Sequence, residues 1–380
     1  MSIAAVLGAQ WGDEGKGKIV SHFAKKFDAC VRFQGGPNAE HTIYLSGKPY
    51  KLRMIPSGIF NTNKAIIGNG VFINPRIVLD EIEILESDFP DIAEKILFSK
   101  KCHIILSSHI EEDINSAYGK FGTTKMGMGP SVADKVSRNG FRLGDIYNEE
   151  KMNSLSSEDR EICERFYSKF KNNIIESDIV IRGLLDSNMR IIAEGAQGAL
   201  LDVDHGDYPQ VTSTNTTIGA VLTGLGVGVQ DVESVYLITS IIMTKVGSGI
   251  PNPITGELQE YFWSNIKRID KTTNTTMNFG WLDINLLMKS IRINRPTGII
   301  LTRLDVLSGL KEVEYTVQRD GINVQEKFPG WEEDITTIRN QNNLPTNLIN
   351  FLIQIQKQVG VPIVGISVGV NDDDYIEINL

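Results

Sequence analysis

Gly12-Asp13-Glu14-Gly15-Lys16-Gly17-Lys18 follows the apolar run Ile3-Ala4-Ala5-Val6-Leu7 and leads into Ile19-Val20 and Phe23-Ala24. An apolar strand, a glycine-rich turn and a lysine heading an amphipathic segment build a phosphate cradle. Backbone N–H groups of the turn and of the following helix N-terminus point at the anion, and the helix dipole adds attraction. Glycine lets the main chain approach closely, and Lys16 or Lys18 can reach across the phosphate. Gly12, four residues and Gly17-Lys18 fit the P-loop spacing, but Ile19 replaces the hydroxyl that normally holds Mg²⁺. The metal then needs another ligand, and Asp13 is the nearest candidate. A ligand-free turn between strand and helix would read the same way, so the rest of the chain has to decide.

Apolar, β-branched runs recur at Ile3–Leu7, Ala29–Phe33, Ala65–Ile67, His103–Leu106, Met189–Ala193, Val235–Val246, Gly298–Leu301 and Pro362–Ile366. Between them, Pro75–Leu85, Leu282–Ile291 and Leu348–Val359 carry apolar residues at helical spacing. This alternation predicts an α/β fold with a largely parallel central sheet flanked by helices. The glycine-rich motifs fall after strand C-termini, where such sheets bind ligands. Residues 147–187 are charged and helix-prone and read as a helical excursion. No linker cuts the chain, so 1–380 is expected to be a single domain.

The chain has 380 residues, 41% of them hydrophobic and 22% charged, with a net charge of −9. An acidic balance argues against a dedicated nucleic-acid or anionic-membrane binder, yet permits a local basic pocket for nucleotide phosphates. Cys30, Cys102 and Cys163 are widely spaced and fit reduced thiols better than a disulfide framework. No leader-like segment precedes the first strand, and no apolar run is long enough to span a bilayer. The expected compartment is the cytoplasm, with no membrane partner.

Gln34-Gly35-Gly36-Pro37-Asn38-Ala39-Glu40-His41-Thr42 follows the second strand-like run. It offers an amide, a carboxylate, an imidazole and flexible backbone, the polar equipment of a phosphoryl-transfer site. A lone histidine is more often structural; His41 escapes that reading through its neighbours.

With both motifs in place the chain resembles the adenylosuccinate synthetase family, nearly end to end. The matches begin at Gln10-Trp11-Gly12 and end at Ser367-Val368-Gly369. Between them lie Ile55-Pro56-Ser57-Gly58, Ile67-Gly68-Asn69-Gly70, Gly122-Thr123-Thr124 and Glu194-Gly195-Ala196-Gln197-Gly198. Asp204-His205-Gly206, Ser213-Thr214-Asn215-Thr216-Thr217, Gly280-Trp281-Leu282-Asp283 and Leu304-Asp305-Val306-Leu307 follow in order.

The resemblance implies a ligase that uses GTP to phosphorylate O6 of IMP and then joins an amine, aspartate in the family, at C6. It implies Asp13 as the base for the N1 proton, His41 as the catalytic imidazole and Lys16 as a third catalytic residue. Mg²⁺ would be held by Asp13 and the backbone carbonyl of Glu40. GTP would be bound by Gly12, Asp13, Glu14, Gly15, Lys16, Gly17 and Lys18, with Arg303, Leu304, Asp305, Ser367, Val368 and Gly369 at the guanine end. IMP would meet Asn38, Ala39, Glu40, His41, Thr124, Gln197 and Thr212. Arg138 matches an arginine that the family supplies across a homodimer to the IMP phosphate.

The departures bear on the amine. Glu40 replaces a glycine, and Lys125-Met126-Gly127 replaces Gly-Arg-Gly. The family's arginine-rich loop, which grips aspartate and ribose, reads here Lys271-Thr272-Thr273-Asn274-Thr275-Thr276-Met277-Asn278-Phe279, with no arginine. Thr and Met cannot replace bidentate guanidinium recognition of a dicarboxylate. Weak binding of aspartate, or another amine, is therefore expected. The chain also looks shorter than the usual bacterial enzyme near 110–120 and within 147–187. The alternatives are a paralogue using another amine or another purine nucleotide such as dGMP, and a catalytically silent nucleotide-binding regulator. Intact Asp13, Lys16 and His41 weigh against the regulator.

Overall fold

β1 (Ser2–Gly8), the apolar run ahead of the glycine loop, is buried throughout because it lies in the middle of an eleven-stranded sheet. The computed structural model describes residues 2–115, 123–246, 249–266 and 277–380. The strands that follow are β2 (Ala29–Gly35), β3 (His41–Leu45), β4 (Lys48–Leu52), β5 (Lys64–Ile73), β6 (Ile96–Ser99), β7 (His103–Ile104), β8 (Ile174–Ile175) and β9 (Arg190–Glu194). Then come β10 (Val232–Ser240), β11 (Ile242–Val246), β12 (Met277–Trp281), β13 (Gly298–Thr302), β14 (Glu312–Arg319), β15 (Ile322–Pro329), β16 (Ile363–Ser367) and β17 (Tyr375–Glu377).

The main sheet runs β17-β16-β13-β10-β1-β9-β2-β5-β6-β8, with β7 continuing beside β5. Every pairing in it is parallel except β16 with β17. Side chains alternate between two cores: Ile3, Ala5 and Leu7 enter one, and Val6 the other. That period of two places a hydrophobic layer on each face of the sheet. Three antiparallel strand pairs, β3–β4, β11–β12 and β14–β15, stand outside it.

The helices are α1 (Lys16–Ala24), α2 (Pro75–Glu86), α3 (Ser107–Asn115), α4 (Met128–Ser137), α5 (Glu149–Asn153) and α6 (Ser157–Phe170). They continue with α7 (Ser177–Asp186), α8 (Ile218–Leu225), α9 (Glu257–Ile266), α10 (Ile284–Asn294) and α11 (Thr346–Val359). The three helices expected from periodicity are α2, α10 and α11. Side chains cap the first two: Asn74 accepts from the N–H groups of Arg76 and Ile77, and Asp283 from those of Asn285 and Leu286. Such caps satisfy donors that a helix start leaves unpaired.

Two expectations are refined. The run Val235–Val246 is two strands, because β10 stays beside β1 whereas β11 leaves to pair with β12. The main chain of Ser240 is taken by the Gln10 amide on both sides, and the Ile241 N–H turns to the Thr302 carbonyl. The stretch 147–187 holds helices, and its β8 also extends the sheet beside β6. α6 packs Phe166 and Phe170 on Phe98, each with ring centroids 5.0 Å away.

Candidate active site

The neighbouring strands β16, β13, β10, β1, β9 and β2 end on the same edge, so the segments that follow them share one rim. The glycine loop sits at its centre, after β1. Arg303–Asp305 and Val368–Gly369 lie on one side, Gly195–Gly198 and Gly36–Glu40 on the other.

Gly12, Asp13 and Gly15 all have positive φ, of 91°, 61° and 86°, which winds the loop back toward the start of α1. Glu14 fills its interior: the buried carboxylate accepts from the N–H groups of Gln10 (2.9 Å) and Gly12 (3.0 Å) and from Lys16 Nζ (2.5 Å). Gly17 is needed for close approach, since a Cβ there would lie 2.7 Å from the His41 Cβ and 2.9 Å from Ser57 Oγ. Any side chain at this position would push His41 off the loop.

His41 is held from below by Glu194, the last residue of β9. Its Nδ1 bonds to one Glu194 oxygen, which also accepts from Ser57 Oγ at 2.5 Å, while the other accepts from the Ser57 N–H at 2.7 Å. Burial pushes the Glu194 carboxyl up, but the charge and hydrogen bond of His41, with Arg32 and Ser57, outweigh it and hold the group below its ordinary range. The ring's other nitrogen, Nε2, therefore points away from the carboxylate. Arg32 is fully buried and donates to the carbonyls of Arg53 and Gly36. Glu81 accepts from three successive N–H groups, those of Arg53, Met54 and Ile55. Glu194, Arg32 and Glu81 thus brace the segment 53–57 under the histidine. None of the three was singled out from sequence as a site residue; a polar residue inside an otherwise apolar strand, as at Arg32, was the available signal.

Asp13 meets Arg303 across the rim: Nη2 lies 2.6 Å from Oδ2 and 2.9 Å from the Asp13 carbonyl. Arg303 also reaches the Ile242 carbonyl and Thr244 Oγ1. Beside it, burial pushes the Asp305 carboxyl up, with Lys18 and Arg303 opposing. Leu304 and Val368 are fully buried.

On the other side, Asn38 Oδ1 and both polar atoms of Gln197 are buried with no partner among the described residues. The Gln197 Cα is within 3.5 Å of where a Gly12 Cβ would stand, and Oε1 equally near that of Gly35. Buried polar groups are normally satisfied, so orphans converging on a phosphate-type loop mark a place for a polar ligand. Thr212 and Thr124 are half-buried in loops, the former fixed by a 2.8 Å bond from its N–H to the Leu201 carbonyl. Ala39 lies in the Gly36–Glu40 turn, its N–H directed at the Gly36 carbonyl.

Arg138 is exposed at the end of α4, where its φ of 68° stops the helix. Glu40 turns its carboxylate to Arg53 at 2.8 Å and Lys51 at 3.7 Å. Lys18 leaves α1 away from Lys16 and bonds to the segment after β16. Met277, expected in the amine loop, is buried in the larger apolar core opposite Val246. Strand pairing turned it inward. Thr272, Thr273, Asn274, Thr275 and Thr276 lie outside the described residues.

The adenylosuccinate synthetase family model matches residues 5–376. The adenylosuccinate synthetase of Thermodesulfovibrio yellowstonii is 37% identical, over 99% of each chain. That of Thioalkalivibrio sulfidiphilus is 35% identical, over 98% of this chain and 97% of the other. Among solved structures, the fully ligated adenylosuccinate synthetase from Plasmodium falciparum superposes with a TM-score of 0.93 at 32% identity over 100% of both chains. Cyanophage S-2L succinoaminodeoxyadenylate synthetase, with dGMP and dATP bound, shares the fold at a TM-score of 0.71 and 14% identity, covering 100% of this chain and 96% of that one. A rim that pairs an oriented histidine with a phosphate-type loop, in a chain matched across its length, is accounted for in one way: the chain belongs to the adenylosuccinate synthetase family of GTP-dependent C–N ligases.

Proposed function

We propose that the family's reaction runs here with GTP held by the loop after β1 and by the segments after β13 and β16, and IMP held after β9 and β2. The observation that carries this reading is the His41–Glu194 pair packed on Gly17 beside the orphaned Gln197 amide. Asp13 takes the N1 proton of the hypoxanthine, so that negative charge builds on O6. His41, fixed through Nδ1, presents Nε2 to that oxygen and to the arriving phosphoryl group. Gln197 and Asn38 supply hydrogen bonds to the polar groups of the bound nucleotide. Once O6 is phosphorylated it leaves as phosphate, and the amine takes its place at C6.

The Asp13 carboxylate, shared with Arg303, and the Glu40 carbonyl are hard oxygens of the kind Mg²⁺ takes, and the ion would neutralise charge on the GTP phosphates. Asp305 accepts from guanine N1–H and N2–H₂, donors that adenine lacks. Arg138, exposed at the end of α4, serves the IMP phosphate of a second copy in a homodimer. Three buried free thiols accord with a reducing compartment, and we place the enzyme in the cytoplasm. Among the described residues no helix is long and apolar enough to cross a membrane.

Purified protein incubated with GTP, IMP and L-aspartate tests the reading, with products resolved by chromatography. GDP, phosphate and adenylosuccinate should form together and depend on Mg²⁺. No GTP turnover with IMP and any amino acid would overturn it in favour of a silent nucleotide binder.

A further inference from the structure

Residues two apart in an α-helix point about 200° away from each other, so Lys16 and Lys18 cannot both serve the mouth of the glycine loop. Lys16 turns inward to Glu14. Lys18 runs to the opposite side, where Nζ lies 2.6 Å from Ser367 Oγ, 2.6 Å from the Gly369 carbonyl and 2.8 Å from the Asp374 carbonyl. An ammonium has three donors, and all three are engaged. Ser367 ends β16, and 368–374 form the turn into β17. One half-buried cation therefore ties the helix that follows the phosphate-type loop to the turn at the far end of the nucleotide site.

The turn is braced around the same point. Asp374 accepts from the Asn371 N–H at 2.8 Å and from its Nδ2 at 3.0 Å, and Arg339 bonds to the other carboxylate oxygen. The Val368 N–H reaches the Asp374 carbonyl at 3.0 Å. Burial pushes the Lys18 ammonium down to about 8, against the pull of Asp374, Asp305 and Asp372, with Arg339 adding a smaller push in the same direction as burial. A cation kept at that cost, with every donor directed at one turn, is placed to hold the turn and not an exchangeable phosphate.

We propose that Lys18 is a positioning residue for base recognition: it fixes Ser367–Gly369 against the purine and takes no part in holding the phosphates. This rests on the reading that Arg303–Asp305 and Ser367–Gly369 form the guanine pocket. Lys18→Met keeps the apolar stem and removes all three donors. Lys18→Arg keeps the charge, but a planar fork matches three convergent acceptors poorly.

The test is steady-state kinetics of Lys18→Met, Lys18→Arg and Lys16→Met with GTP, ATP and IMP varied in turn. For Lys18→Met the KM for GTP should rise about ten- to a hundredfold, the scale of hydrogen bonds to a charged group. The turnover number at saturating GTP should fall much less, KM for IMP should hold, and the preference for GTP over ATP should shrink. Lys18→Arg should fall between wild type and Lys18→Met. A turnover loss like that of Lys16→Met, with GTP and ATP affected equally, would make Lys18 a phosphate ligand and overturn the proposal. Equal rises in KM for GTP and IMP, with a lowered melting temperature, would make it merely structural and overturn it too. Should Lys18→Met not fold, Ser367→Ala removes one of its acceptors and should give a smaller GTP-specific rise; an unchanged KM for GTP there would also overturn it. Asp305→Asn separates the two readings. If it leaves GTP preference intact, the pocket itself is misplaced; if it abolishes that preference while Lys18→Met does not, only the Lys18 proposal fails.

Discussion

Arg303 Nη2 lies 2.6 Å from Asp13 Oδ2 and 2.9 Å from the Asp13 carbonyl, so one guanidinium grips the same residue by side chain and main chain. Both residues adopt positive φ, 61° for Asp13 and 63° for Arg303, a conformation unusual for non-glycine residues and worth reading as functional. Arg303 also donates to the Ile242 carbonyl at 3.2 Å, linking the loop after β1 to the corner where β10 gives way to β11.

A single-point cation cannot reproduce that fork. Arg303→Lys, which keeps the charge, should keep activity within about tenfold of wild type. Arg303→Ala should lower kcat/KM for GTP by about ten- to a hundredfold, the scale of lost charge-assisted bonds. Initial rates across a GTP series decide it. An alanine variant within twofold of wild type would show that the pairing is idle in turnover.

The histidine's support gives a graded series. Asp13→Ala and His41→Asn should each lower the turnover number at least ~10²-fold, as for lost acid–base groups. Glu194→Gln should cost about ten- to a thousandfold in turnover with little change in KM. An amide in that place cannot accept at both atoms from His41 and Ser57, so the ring loses its fixed orientation. Circular dichroism and a melting curve on each variant separate this from misfolding. A Glu194→Gln enzyme with full turnover would remove Glu194 from the machinery.

Glu81 predicts a pH dependence of stability. Burial pushes its carboxyl up to about 7 from an ordinary 4.5, against the three N–H donors and Arg32. A carboxyl raised in the folded state binds more protons there than in the unfolded chain. Its contribution is therefore full below about pH 4.5 and is lost as the pH climbs through about 7. Glu81→Gln sets an amide nitrogen against a backbone donor and should cost about 1–3 kcal/mol. That penalty should be larger at pH 5 than at pH 8. Melting temperatures of both proteins at the two pH values measure it, and a penalty that grows with pH would reverse the assignment.

The sequence made the phosphate-type loop and the α/β frame legible because their signals are local: an apolar run, glycines at fixed spacing, a lysine at a helix start. His41 was found through its neighbours in one short segment. Its partner Glu194 lies 153 residues away, and only the pairing of β9 between β1 and β2 brings them together. Lys18 was read with Lys16 because both fall inside one motif, and helical geometry separates them. The hairpin β14–β15 gave a weak signal because Val313, Tyr315 and Val317 are buried on one strand while its partner is mostly exposed.

The amine donor is where the chain departs most from its family. The segment 271–279 carries no arginine, and the described part of it offers no pocket-lining replacement at Met277, which is buried in the core. Lys245 faces Asn278 in the β11–β12 register and sits 4.9 Å above the Trp11 ring, one residue before the glycine loop. As a flexible point charge it gives weaker recognition of two carboxylates than paired guanidinium forks. The KM for L-aspartate should therefore exceed the common range of roughly 1 μM–1 mM, while those for GTP and IMP stay inside it. Thr275→Arg should lower the aspartate value. Met277→Arg should instead destabilise the protein, because it would bury an unpaired charge. Initial rates with GTP and IMP saturating and aspartate varied are the measurement. A KM of about tens to low hundreds of micromolar, inside that same range, would mean that other cations of this chain already grip the dicarboxylate.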